Sequence, residues 1–128
     1  TKAPDEVMKL IPGLRGRVAG IAMNVPVPDG SLVDMVSWTE KKVDKVGVNE
    51  IMRTAASGPL REIMEYEEDP IVSSDVIGNS HSSIFDAAST MVLGENMVKT
   101  VAWFDNGWGY AHRVVDLIKR FAAMEEGR

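Results

Sequence analysis

An asparagine, two glycines and a tyrosine fall within one short stretch, Asn106-Gly107-Trp108-Gly109-Tyr110, directly after the β-branched and aromatic run Val98-Lys99-Thr100-Val101-Ala102-Trp103-Phe104. A side-chain amide donates and accepts hydrogen bonds together, and glycines let a backbone come close to a ligand. At the end of a strand, beside a tyrosine at the start of a helix, such a group suits a flat polar molecule such as a ring carrying a carboxamide. A tight, well-packed corner would use the same residues. His81 and His112 are the only histidines, so a nucleophilic triad would have to be built from Ser82 or Ser83 with His81 and Asp86. Neighbouring residues on a strand face opposite ways and no Gly-x-Ser-x-Gly elbow is present, which argues against it. A metal held by Asp75, His81 and Asp86 matches no ligand spacing in common use. The carboxylates Glu65, Glu67, Glu68 and Asp69 read as a solvated face rather than an acid–base pair. Cysteine is absent, which removes thiolate nucleophiles, thiolate metal sites and disulfides from this chain. Neither a Gly-x-Gly-x-x-Gly fingerprint nor a Walker loop occurs.

The elements that must position these groups follow from periodicity. Residues 1–14 predict a short helix opened by Pro4, Asp5 and Glu6 and stopped by Pro12-Gly13. Residues 16–25 and 31–38 predict two antiparallel strands around the proline-stiffened turn 26–30. Asp44 can cap a helix with the stripe Val48, Ile51, Met52 and Ala55, ended by Gly58-Pro59. A short strand over 60–66, a polar serine-bearing stretch over 71–88, and a hairpin of 90–93 with 97–104 across Gly94-Glu95-Asn96 come next. The last helix, 109 to about 124, carries Tyr110, Val114, Leu117, Ile118 and Phe121 on one stripe that docks on the sheet, with Arg113, Asp116, Lys119 and Arg120 opposite. The sum is one domain over 1–128, of α+β class, with five or six mostly antiparallel strands and helices on one face.

The 128 residues are 45% hydrophobic and carry a net charge of -5, with Lys and Arg scattered singly, so the chain can bury a core and nothing directs it to nucleic acid. No apolar run reaches membrane-spanning length and no signal-like segment opens the chain. A cytoplasmic setting is the expectation. Thr1 in place of Met fits a processed or trimmed piece.

Several runs, in order, carry a resemblance. Ile21-Ala22-Met23-Asn24-Val25-Pro26-Val27-Pro28, Ser31-Leu32-Val33-Asp34, Asp69-Pro70-Ile71-Val72-Ser73-Ser74-Asp75, His81-Ser82-Ser83-Ile84-Phe85-Asp86 and the stretch through Arg113-Val114-Val115-Asp116-Leu117 resemble glyceraldehyde-3-phosphate dehydrogenase. The resemblance is collinear over nearly the whole chain and covers only the C-terminal part of that enzyme, within its catalytic domain. It implies that the Rossmann domain, the catalytic-cysteine helix and the catalytic-histidine segment would all precede Thr1. Relatives acting on erythrose 4-phosphate share these motifs.

By that resemblance, Asn106 of the signature Trp-Tyr-Asp-Asn-Glu-Trp-Gly-Tyr holds the nicotinamide carboxamide of NAD or NADP, and Tyr110 flanks the nicotinamide. Thr1 matches the threonine of Thr-Gly-Ala-Ala-Lys, whose hydroxyl meets a phosphate oxygen at a helix start. Lys2 replaces the glycine there. Asn24 stands where the family has Arg in Ala-Met-Arg-Val-Pro, the fork that binds substrate and inorganic phosphates. Losing one such contact weakens phosphate binding by about ten- to a hundred-fold. Gly107 and Phe104 replace the signature's Glu and Tyr. The implied chemistry is attack of a cysteine thiolate on the aldehyde, hydride transfer to the nicotinamide and release of an acyl phosphate. This chain by itself would lack catalytic residues, bind no cofactor tightly and be inactive. Its partners would be a sugar phosphate in a complete enzyme, a complementing Rossmann-domain chain or further copies of itself. The other reading is a non-catalytic assembly or binding module.

Overall fold

The computed structural model describes residues 1–126. In chain order they form α1 (Ala3–Leu10), β1 (Ser31–Trp38), α2 (Lys45–Ser57), β2 (Met64–Glu67), β3 (Ser83–Leu93), β4 (Met97–Phe104) and α3 (Asn106–Glu126), with short 3₁₀ turns at Pro12–Leu14 and Ser73–Val76. The strands make one sheet in the order β1-β4-β3-β2. β4 runs antiparallel to both β1 and β3, whereas β2 lies parallel to β3. The α+β class holds. The sheet is mixed, and it has four strands among the described residues instead of five or six.

Residues 16–25 are the missing strand. Pro26 and Pro28 remove two donors, and the Val27 N–H bonds the Val25 carbonyl at 2.8 Å, a tight reversal that denies the segment a register with β1. Ile21 is left 81% exposed, and β1 pairs with β4 instead.

α2 starts where its sequence says. The Asp44 carboxylate accepts from the Gly47 N–H at 2.7 Å, and the helix stops at Ser57, before Gly58-Pro59. Its inward face is Met52, Ala55 and Ala56, packed on Met64, Tyr66, Phe85 and Ala87, while Ile51 points away. Phe85 is 1% exposed and its ring stacks on Tyr66 at 5.8 Å. This is the closed core. It covers one face of β2 and β3 and leaves β1 open on both faces, with Trp38 73% exposed.

β3 begins well before the predicted hairpin because it carries a wide bulge. Between the pairs Asp86–Val101 and Met91–Lys99, residues 87–90 face the single residue Thr100. Asp86 is buried and closes this bulge, accepting from the Ser89 N–H (2.9 Å), the Ser89 hydroxyl (2.7 Å) and the Trp103 indole N–H (3.3 Å). Two bulge carbonyls are taken up by α2, Ala87 by the Asn49 amide at 3.0 Å and Ala88 by the Lys45 ammonium at 2.8 Å. The bulge is thus fixed from both sides.

α3 begins three residues earlier than its apolar period, because Asp105 caps it. One carboxylate oxygen accepts from the Gly107 (3.0 Å) and Trp108 (2.8 Å) N–H groups, and the other from Gly78 at 2.9 Å. Asp105 is 6% exposed. The hydrogen bonds from Trp108 first, then Gly78 and Gly107, hold its carboxyl below the ordinary value of 3.8, against the opposing effect of burial.

Replacing Asp86 by Ala strands the half-buried Ser89 and Trp103 donors, so the chain should lose about 2 kcal/mol of unfolding free energy in a urea titration, whereas Ser89→Ala should lose about 1 kcal/mol. For Asp105, a depressed folded value means that its contribution is complete above the unfolded pKa and vanishes as pH falls through the folded one. The urea midpoints of the wild type and Asp105→Asn, well separated at about pH 6, should converge below about pH 4.

Candidate functional site

β4 delivers the chain to Asp105, and the cap turns it at once into α3, so that Asn106 is the first residue of the helix and Tyr110 lies one turn on. Residues four apart on a helix share a face. Asn106 and Tyr110 are therefore side by side, and both are exposed, Tyr110 to 72%. Trp108, between them in sequence but on the opposite face of the helix, leans on His112 with centroids 5.4 Å apart.

The turn rests on residues 78–82. Gly109 is buried against the His81 carbonyl, so closely that a Cβ there would sit 2.9 Å from the oxygen. Arg113 donates to the Ser82 hydroxyl at 3.2 Å and pairs with Asp116 at 2.6 Å. The 78–82 segment is itself held from below. Asn79 donates to Glu65 on β2 at 2.6 Å, and its carbonyl oxygen accepts from the His81 backbone N–H at 2.9 Å while facing the His81 ring nitrogen Nδ1. Ser82 N–H bonds the Ile63 carbonyl at 2.8 Å. Gly78, at φ +77°, adopts a backbone that other residues rarely take and so aims its N–H at Asp105.

These contacts reverse one expectation about α3. The face carrying Asp105, Gly109, Arg113 and Asp116 is the one turned toward the rest of the chain. The stripe of Val114, Leu117, Ile118 and Phe121 points outward, with Phe121 59% exposed. Sequence period finds a stripe but cannot say which body covers it.

The other sequence candidates are dispersed. The Ser82 hydroxyl is engaged by Arg113, the His81 ring by Asn79 and Glu65, and the Asp86 carboxylate by Ser89 and Trp103, so the three form no triad. Asp75 accepts from the Val72 N–H at 2.8 Å. No group of three or more potential ligands is assembled for a metal among the described residues. The acidic stretch is less idle than a solvated face: Glu65 holds Asn79, Glu67 accepts from the Glu68 and Asp69 N–H groups at 2.8 Å, and Glu68 pairs with Arg53 at 2.8 Å.

Thr1 and Asn24 both lie in the segment before β1 and both are exposed. The Thr1 hydroxyl accepts from the Ala3 N–H at 3.2 Å, at the opening of α1. The path to Asn24 is set beside that helix end, because a Cβ on Gly20 would stand 3.1 Å from the Pro4 ring. No hydrogen bond among the described residues links this pair to Asn106 and Tyr110. Sequence reasoning missed Asp105, Gly109, Arg113 and Asp86 as working parts. An aspartate just ahead of a helical pattern was the available signal for the first; the others depend on contacts far apart in sequence.

Among the described residues no helix is long and apolar enough to cross a membrane. The family model described as glyceraldehyde 3-phosphate dehydrogenase, C-terminal domain, matches residues 1–106, ending at the first residue of α3. Longer alignments to individual proteins take in the helix. Glyceraldehyde-3-phosphate dehydrogenase of Omphalotus olearius is 46% identical over 127 residues, 99% of this chain and 37% of the relative. Glyceraldehyde-3-phosphate dehydrogenase 3.1 of Caenorhabditis briggsae is 43% identical over 122 residues, 95% of this chain and 36% of the relative. The testis-specific glyceraldehyde-3-phosphate dehydrogenase of Mus musculus is 44% identical over 126 residues, 98% and 29% respectively. The chain thus spans between 29% and 37% of the length of these relatives, at the level of a domain. With its α+β sheet, its signature turn and this collinear match, the chain belongs to the glyceraldehyde 3-phosphate dehydrogenase family, as its C-terminal domain.

Proposed function

We propose that this chain contributes the substrate-side domain and the nicotinamide-facing turn of an NAD- or NADP-dependent dehydrogenase that converts glyceraldehyde 3-phosphate to an acyl phosphate. The observation that carries the reading is the pair Asn106 and Tyr110, side by side and exposed on the capped first turn of α3. An amide there fits a nicotinamide carboxamide in donor and acceptor capacity, and the tyrosine ring lies beside it on the same face. The bound nicotinamide would supply hydride acceptance. This chain's own residues bind and orient: Asn106 fixes the ring's rotation, and Tyr110 shields one side of it.

Thr1 and Asn24 are the residues we assign to the phosphate-facing side. Both offer neutral hydrogen-bonding groups, and the fixed charge nearest Thr1 in sequence is the Lys2 ammonium. A single ammonium is a point charge and not a planar fork, so phosphate is held more loosely than by a guanidinium. With no cysteine in the chain, the nucleophile comes from the portion that also brings the nucleotide-binding fold. We take the setting to be cytoplasmic.

The outward stripe of α3 supports a partner on that helix. Val114, Leu117, Ile118, Phe121 and Met124 form an exposed apolar ridge along one helix, which a soluble chain seldom leaves bare. The Rossmann-bearing portion, supplied by the same polypeptide or by another chain, covers it on this reading. A second reading, a non-catalytic assembly module of like copies, draws on the open β1 face with Leu32, Val36 and Trp38 exposed.

Mixing the 128-residue chain with NAD, glyceraldehyde 3-phosphate and phosphate should give no rise in reduced cofactor absorbance, and adding the nucleotide-binding portion of a relative should restore it. Turnover by the chain alone, or none after complementation, overturns the proposal; erythrose 4-phosphate in parallel sets the substrate. In the restored complex Asn106→Ala should raise the KM for NAD by about ten- to a hundred-fold. Phe121→Asp should abolish complementation while moving the isolated chain's own stability by less than about 0.5 kcal/mol, since the residue is mostly exposed within it. Self-association of the chain that Phe121→Asp leaves intact, with no complementation in the wild type, would favour the assembly reading.

A further inference from the structure

Two glycines occupy the turn that carries Asn106, and they are not equivalent. A Cβ on Gly107 would stand 3.6 Å from the Asp105 carboxylate, an ordinary contact, and a side chain could be placed there freely. A Cβ on Gly109 would stand 2.9 Å from the His81 carbonyl oxygen, closer than side-chain carbons come to backbone, and 3.5 Å from Ser82 Cα. Helix propensity favours alanine over glycine by about 1 kcal/mol at both positions. Only at Gly109 does a tertiary contact oppose that preference.

The loop beneath Gly109 is tied down by hydrogen bonds. Its residues are held at Ser82 by the Ile63 carbonyl, at Asn79 by Glu65, at His81 by the Asn79 carbonyl oxygen and at Gly78 by Asp105, all between 2.6 and 2.9 Å. Arg113 closes the far side through the Ser82 hydroxyl. A methyl at 109 must therefore lift the helix start by about half an ångström, and displacements of that order already separate productive from unproductive geometry at a site.

We infer that residues 78–82 are the mount that sets the height and tilt of the Asn106–Tyr110 turn, with Gly109 and Asp105 as its positioning residues for the nicotinamide. The inference rests on the cofactor reading of Asn106 given above. Asp105 works at both ends, tying Gly78 of the mount to the Gly107 and Trp108 amides of the turn. Gly109 allows the turn to descend fully onto the mount. Neither residue needs to touch the cofactor.

The test compares Gly109→Ala with Gly107→Ala, first in the 128-residue chain by hydrogen exchange and then in the complemented complex by kinetics. Gly107→Ala should keep the exchange protection of the 107 and Trp108 amides, whereas Gly109→Ala should lower the protection of the Gly107 and Trp108 amides about ten-fold, with the Val98 and Val101 amides of β4 unchanged. In the complex, Gly109→Ala should raise the KM for NAD about ten-fold and add nothing further to Asn106→Ala, because it acts through that residue. Equal exchange in the two alanine variants, or full additivity with Asn106→Ala, overturns the inference. Should Gly109→Ala fail to fold, Asp105→Ser serves instead: it keeps a capping oxygen for the turn and drops the bond to Gly78, and it should show the same non-additivity. If Asn106→Ala leaves the KM for NAD unchanged, the cofactor reading is what fails, while the exchange comparison still decides whether residues 78–82 are the mount.

Discussion

Asp105 is the joint on which this domain turns. One buried carboxylate satisfies three backbone donors from two parts of the chain, the opening of α3 and the loop at Gly78. A neutral side chain of similar size could cap the helix, but it could not attract three N–H groups with the same charge-assisted strength. Without that joint, the helix would still form from its own propensity, yet nothing local would say where it points. With it, the strand β4, the loop and the helix meet at a fixed angle. Every functional assignment to Asn106 and Tyr110 presupposes that angle.

The rest of the fold is asymmetric around this joint. On one side, α2 closes a core over β2 and β3, and the Asp86 bulge is clamped between Trp103 and the side chains of Asn49 and Lys45. On the other, β1 and α3 hold their apolar groups in the open, Trp38 and Phe121 among them. The polar face of α3 meets the chain through directional contacts, a cap, a glycine seat and an Arg113–Ser82 bond, and not through apolar burial. Such contacts specify orientation well and contribute modestly to stability. The apolar stripe, which would contribute most, lies outside these contacts, with Leu117, Ile118 and Phe121 exposed.

How much of this could be read from the residues depended on the range of the signal. Asp44 as a cap, Gly58-Pro59 as a stop and the turn at Gly94-Glu95-Asn96 are local patterns, and each appears where it was expected. The strand over 16–25 failed because period two says only that a segment could be half buried, and the prolines at 26 and 28 were read as stiffening a hairpin when they prevent one. β3 was cut short because its serines and Asp86 look like loop chemistry. They are loop chemistry, folded into a bulge inside a strand. The site divides in the same way. Asn106 and Tyr110, four apart, had to share a face once a helix was granted; that the helix starts at Asn106 and not at Gly109 is decided by the Asp105 cap, whose second oxygen is tied to Gly78, 27 residues away.

The same reasoning separates the two halves of the proposed site. On the proposed reading, the turn's departures from the family signature, Phe104 and Gly107, fall where the structure tolerates them: a Cβ on Gly107 would make only an ordinary contact with Asp105, and Phe104 lies within β4 opposite Ser31. The phosphate-facing side differs in kind. Lys2 and Asn24 change charge and donor geometry themselves, on exposed segments where no buried contact compels the choice. A backbone framework can be inherited intact while the groups it displays are exchanged at little cost to folding, since exposed substitutions barely move stability.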